Sequence, residues 1–190
     1  MMQKYELVLM LKSQIQESER NELLSKIEKD FKDNILLKDE MGIHQTSYDI
    51  KGQKGNNSVY YVSYYLNLDN EKLQELRKSL LYTNALVRYD ILRMKQNQEM
   101  FEYEKLQKEL EKIMDSRDDK RFGNRVTFLS LPENDKYINW KAVAILKKYL
   151  TRFGDIKPRK YTKNCVSTQK KLRQEIIRAR NFGLLEFIKK

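Results

Sequence analysis

The 190-residue sequence is poor in the residues that do chemistry: it holds one cysteine, one histidine, two prolines and six glycines. A single cysteine, Cys165, excludes any disulfide within the chain, and with His44 as the only histidine no Cys/His metal cluster can be assembled. That usage fits a reducing compartment. No apolar run approaches the roughly 20 residues of a membrane helix. The first residues, MMQKYELVLMLKS, lack the basic start, long apolar centre and small-residue cleavage site of a signal peptide. A cytoplasmic protein is therefore expected. No Walker loop or GxGxxG occurs, and the carboxylates are scattered rather than paired. His44 has no Cys or Ser partner for a dyad, and Cys165 has no base nearby and reads as incidental. Nothing argues for an enzyme, a metal or a cofactor.

Charge, by contrast, is abundant. Charged residues make up 34% of the chain, apolar ones 40%, and the formal net charge is +11. Residues 1–100 hold fifteen Lys and Arg against fifteen Asp and Glu, whereas residues 101–190 hold 23 against 12, so the second half carries the whole excess. A neutral half and a basic half imply two domains with different tasks, and the basic one calls for a polyanion or an anionic surface.

The neutral half reads as six elements. KYELVLML (4–11) is a buried strand. Residues 18–32 place Leu23, Leu24, Ile27 and Phe31 at helical spacing, with Ser18 as a possible cap. Residues 34–50 are a longer, more polar strand, and KGQKGNNS (51–58) is a turn. VYYVSYYLNL (59–68) is an aromatic and β-branched strand. Asp69 or Asn70 caps a helix carrying Leu73, Leu76 and Leu80, and ALVRYDILRM (85–94) is a fourth strand. The order βαββαβ is that of a ferredoxin-like sandwich, with both helices on one face of an antiparallel sheet and the other face open to a partner.

Beyond it the pattern changes. Residues 96–115 repeat Tyr103, Leu106, Leu110 and Ile113 as the seam of an amphipathic helix, which over about 20 residues would span about 30 Å. DSRDDKRFGNR (115–125) is a charged joint. A helix is expected over 137–152, capped by Asn139 and ended by Gly154. Residues 155–161, DIKPRKY, are kept non-helical by Pro158. A last helix follows over 167–181, with Ser167 or Thr168 as cap. The expected fold is α+β: a ferredoxin-like βαββαβ sandwich (1–96), a helical and charged linker (97–127), and a small, mostly α-helical domain (128–190).

Particular strings carry a resemblance. Tyr5-Glu6-Leu7-Val8, then Gly42, Tyr48 and Ile50 on a Gly-x-x-x-x-x-Tyr-x-Ile spacing, then Asn84, Val87, Arg88 and Arg93, resemble the bacterial small-subunit ribosomal protein six family over roughly residues 3–96. Met41 stands where that family usually has an aromatic. In the second half, Tyr137 to Lys141, Leu146 to Leu150, Gly154-Asp155-Ile156-Lys157-Pro158-Arg159, Thr162, Gln169-Lys170, Arg178-Ala179-Arg180 and Leu184-Leu185-Glu186-Phe187 resemble the small-subunit ribosomal protein eighteen family. Here Lys163 replaces that family's glycine, Glu186 its proline, and no cysteine pair precedes the first helix. The resemblance implies a fused pair of partners: a structural constituent of the small (30S) subunit that binds the central domain of its rRNA at the platform. It also implies contacts with neighbouring small-subunit proteins and pairing of the two halves within one chain, where the linker sets the effective concentration.

The basic segment agrees with this independently. Lys157, Arg159, Lys160, Lys163, Lys170, Lys171, Arg173, Arg178 and Arg180 stand against a single acid, Glu175. On a helical wheel the last five cations occupy one arc and Leu172, Ile176 and Ala179 the opposite one. These nine are the expected RNA-binding residues, and Arg178 and Arg180 are expected to be replaceable without harm to the fold. Other readings are weaker. A merely solvated basic face leaves like charges to repel, and a membrane-surface helix would want aromatics in its apolar face before Phe182. The tyrosine-rich strand invites an RNA-recognition-motif reading, but the diagnostic Gly-Phe-Gly-Phe string is missing and that half is neutral. The alternative from another class is a free RNA-binding translational regulator using the same surface.

Overall fold

Regular alternation and β-branched content make the first half a sheet. The computed structural model describes residues 2–50, 57–95, 98–115, 129 and 132–188. The elements are β1 (Gln3–Lys12), α1 (Glu17–Asp30), a 3-10 turn (Lys32–Asn34), β2 (Ile35–Gln45), β3 (Ser58–Leu68), α2 (Asn70–Leu81) and β4 (Leu86–Arg93). The sheet order is β2-β3-β1-β4, every pair antiparallel. This is the expected ferredoxin-like α+β sandwich. Leu7 lies opposite Tyr64 and Ile91, and Leu9 opposite Val62 and Tyr89. One face of the sheet thereby joins Leu24 and Ile27 of α1 and Leu73, Leu76 and Leu80 of α2 in a single core. Each such side chain fully removed from water contributes about 1.5–3 kcal/mol.

Local signals account for the element ends. Asp69 caps α2, its carboxylate accepting from Lys72 N at 2.9 Å. Gly42 at φ 80° absorbs the register shift that bends β2 against β3, a conformation that favours glycine. Three expectations shift. Ser18 lies inside α1, whose N-cap is Gln16 without a side-chain bond. β2 stops at Gln45 rather than running to 50. The sheet face away from the helices is not open: Val8, Met10, Tyr61, Ser63 and Tyr65 are buried, and Tyr65 Oη donates to Phe101 O at 3.1 Å. The tyrosines of β3 are thus packing residues, as the neutral charge of this half suggested.

The chain forms two compact units, Met1–Gln45 with Asp49–Glu102, and Thr46–Tyr48 with Tyr103–Lys190. The second unit holds α3 (Tyr103–Asp115), a 3-10 turn (Pro132–Tyr137), α4 (Val143–Lys148), α5 (Arg159–Thr162) and α6 (Val166–Asn181). Its core gathers Trp140, Leu172, Ile176, Ala179 and Phe182, with the Trp140 and Phe182 rings 4.6 Å apart. Leu106 and Leu110 of α3 are buried, and Gln107 Nε2 donates to Lys141 O at 3.1 Å. Tyr48 Oη donates to Arg180 O at 2.7 Å, and Ser47 N to Gly183 O at 2.7 Å. The end of α6 is a Schellman motif: Leu184 N reaches Ala179 O, Gly183 N reaches Arg180 O, and Gly183 takes φ 76°.

The helix expected over 137–152 is much shorter, because tertiary bonds claim its first turn. Trp140 N donates to the buried Glu175 carboxylate and Lys141 N to Asn139 Oδ1, so the chain becomes helical only at Val143. Residues 51–56 of the expected turn (51–58), residues 116–125 of the charged joint (115–125) and the side chain of Ile113 lie outside the described residues.

Candidate nucleic-acid interface

The basic segment begins in a hairpin. Lys157 N bonds Tyr149 O at 2.9 Å and Thr151 N bonds Asp155 O at 2.7 Å, with Gly154 at φ 93° in the turn. Pro158 then ends the extended stretch rather than prolonging it. Its ring restricts Lys157 before it but suits the start of a helix, and α5 follows at once. α5 closes on Lys163, which adopts φ 55° and donates its N–H to Arg159 O at 2.8 Å.

One side chain of α6 holds this turn in place. Gln169 Nε2 donates to Lys157 O at 2.9 Å, while its Oε1 accepts from Thr162 Oγ1 at 3.2 Å and Asn164 Nδ2 at 3.3 Å. Thr162 and Asn164 are buried beneath the turn. The N-cap of α6 is Cys165, whose Sγ accepts from Thr168 N, and not Ser167 or Thr168. Bonds from the Ser167 and Thr168 hydroxyls favour the thiolate and hold the Cys165 thiol down at about 7. The lone cysteine is therefore a capping group and not incidental.

The nine expected residues fall into two sets. Arg159, Lys160, Lys163, Lys170 and Arg173 are exposed, and the one acid between 157 and 180, Glu175, is turned into the core. That stretch thus presents cations to solvent without an intervening carboxylate. Arg159 Nε donates to Asn164 O at 3.1 Å, which leaves the rest of its guanidinium outward. The other four are half-buried and engaged. Lys157 Nζ donates to Lys148 O at 2.8 Å, and Lys171 Nζ meets Asp135 Oδ2 at 2.6 Å. Arg178 Nη1 pairs with Glu175 Oε1 at 2.5 Å, and Arg180 donates to Glu186 O and Gly154 O. Burial lowers the Arg180 pKa, with Asp155 opposing the shift.

Arg178 and Arg180 are consequently not replaceable without harm to the fold. Glu175 already accepts from Trp140 N, and Arg178 supplies its countercharge. Removing one partner of a buried pair costs about 3–5 kcal/mol. Arg178 keeps 20% of its side-chain surface, which places the loss nearer about 2–3 kcal/mol. Three exposed cations escaped the sequence reading: Lys147, Lys148 and Arg152, whose guanidinium lies 4.6 Å from the centre of the Phe153 ring. The signal was present in the string KKYLTR after Leu146, directly before the basic segment. Among the described residues no helix is long and apolar enough to cross a membrane, and no group of three His, Cys, Asp or Glu could hold a metal.

Comparison with known proteins identifies both halves. The Ribosomal protein S6 family model matches residues 4–93 and the Ribosomal protein S18 family model residues 134–185. The small ribosomal subunit protein bS18 of Syntrophotalea carbinolica is 37% identical over 68 residues, 36% of this chain and 75% of that protein. That of Alkaliphilus oremlandii is 35% identical over 75 residues, 40% of this chain and 96% of its own length. A crystal structure of 30S ribosomal protein S6 from Thermotoga maritima is 23% identical and covers 60% of this chain and 99% of that one, with a TM-score of 0.45. With the exposed cations falling inside the second match and the neutral sandwich inside the first, the chain belongs to the ribosomal protein S18 family and carries a ribosomal protein S6 region ahead of it, an S6–S18 fusion.

Proposed function

We propose that the chain is a structural, non-catalytic constituent of the small ribosomal subunit, located on the ribosome in the cytoplasm, that binds small-subunit rRNA through its second unit. One observation carries the reading: two families of small-subunit proteins occupy one polypeptide. The cations of the S18 region supply the phosphate contacts, with Arg159, Lys160, Lys163, Lys170 and Arg173 outermost. Lys157, Lys171, Arg178 and Arg180 contribute charge from positions that also hold the fold. The S6 region serves neighbouring small-subunit proteins, and the rRNA site is the central domain at the platform. Pairing of the halves in cis belongs to the same proposal.

Sucrose-gradient fractionation tests it. Nearly all of the chain should travel with small subunits at low salt and be stripped from them as salt rises, since each phosphate contact adds about 0.7–0.9 to the log–log slope. A chain found mainly in the free pool, bound to a messenger, would replace this reading with that of a translational regulator.

A further inference from the structure

Tyr161, in the middle of α5, is 72% exposed. Exposure alone means little, since Tyr82 at the end of α2 is 90% exposed. What differs is the setting. Arg159 and Lys160 precede the Tyr161 ring and Lys163 follows it, all exposed, on a turn pinned from below by Gln169, Thr162 and Asn164. Lys163 is also, among the described residues, the one non-glycine with positive φ. A glycine would sit there without strain, yet the position holds a cation two residues from the ring. An aromatic ring on a fixed turn between cations suits unpaired bases, whose phosphates meet the charges while a base meets the ring.

We propose that Tyr161 is a stacking platform for an unpaired base of RNA, with Lys160 and Lys163 gripping the flanking phosphates. This rests on the RNA-binding reading above and adds the kind of RNA: single-stranded rather than duplex at this point.

The test uses the full chain with a short unstructured single-stranded RNA and a duplex RNA of matched charge. Tyr161→Ala should weaken single-strand binding at least fivefold, the low end of the range for a stacked base, and leave duplex binding unchanged. Its salt slope should stay as in the parent, because no phosphate contact is lost, whereas Lys163→Gly should lower the slope by about one. Tyr161→Phe and Tyr161→Trp should retain binding, and Tyr82→Ala should have no effect. Melting temperatures of the Tyr161 variants should match the parent, since the ring is outside the core. The inference is overturned if Tyr161→Ala binds normally, if duplex binding falls equally, or if Tyr161→Phe fails as badly as Tyr161→Ala. Loss of co-sedimentation with small subunits despite intact RNA binding would assign the ring to a protein neighbour and also overturn it. A parent chain that binds neither RNA would instead overturn the RNA-binding reading itself.

Discussion

On the outside of the first unit, Lys38 lies 2.8 Å from Glu28 and 2.5 Å from Glu40, Tyr60 Oη donates to Glu40, and Arg20 rests 4.2 Å from the centre of the Tyr60 ring. The Lys38 ammonium holds the Glu40 carboxyl below its ordinary range, and against burial the two carboxylates raise the Lys38 pKa. On the second unit, Lys160, Lys163, Lys170 and Arg173 stand exposed with no ion pair to an acid among the described residues. The first unit also has exposed lysines without an ion pair, Lys26, Lys29 and Lys78, but they lie among exposed acids such as Glu22, Asp30 and Glu75, whereas the exposed cations of the second unit's basic segment have no exposed acid between them. Net charge by itself does not reveal this division. It depends on where the few acids of the second unit point, and Glu175, the one within the basic segment, points inward.

Three changes would break or sharpen that contrast. The largest effect is expected from reversing Lys160, Lys170 and Arg173 to Glu together. RNA affinity should fall on the order of a hundredfold or more and the salt slope by about two to three. The same reversal at the exposed Lys26, Lys29 and Lys78 of the first unit should change neither, as filter binding over a salt series would show. Equal losses in both would dissolve the distinction between the units.

A smaller effect separates the two kinds of cation within the second unit. Arg178→Ala should destabilise that unit by about 2–3 kcal/mol, because the buried Glu175 loses its ion pair with Arg178. Thermal melting measures this, and Arg173→Ala should melt like the parent. Were Arg178→Ala to melt normally, the Glu175 pair would be dispensable and Arg178 would rejoin the outward set.

The smallest effect is chemical. With its thiol held at about 7, Cys165 should react with iodoacetamide at a rate half-maximal near neutral pH. The sign follows from the cap: bonds to the thiolate lower the pKa, so the reactive form persists to lower pH in the folded chain. Unfolding in denaturant should return the midpoint to about 8.5, the ordinary thiol value. A midpoint unchanged by unfolding would remove Cys165 from its capping role.

The sheet and its two helices were legible because their signals are local and redundant. β1, β3 and the Leu73, Leu76 and Leu80 stripe of α2 each declare a buried face, and Asp69 sits where a cap must be. The second unit was harder. Asn139 and Ser167 were both plausible caps there, yet the caps are Ala142 and Cys165, just as Gln16 and not Ser18 caps α1 of the first unit. Which of several neighbouring residues turns into a helix depends on backbone angles that tertiary bonds decide, as at Trp140. The cations of the site could be read from sequence, but not their division into outward and engaged. That division rests on contacts between residues far apart in the chain, such as Lys171 with Asp135 and Arg180 with Gly154.

The bonds of Gln169 have a thermodynamic meaning for a turn of this kind. A surface turn of a few residues normally samples many conformations, and a ligand that grips it must first restrict them, at roughly 1–2 kcal/mol per residue ordered. Here the restriction is made when the protein folds: one amide donates to Lys157 and accepts from Thr162 and Asn164, fixing both ends of α5 to the first turn of α6. The turn meets its ligand already shaped, so more of the contact energy survives as affinity. Gln169 touches no phosphate in this arrangement, and what it supplies is a smaller loss of conformational entropy on association.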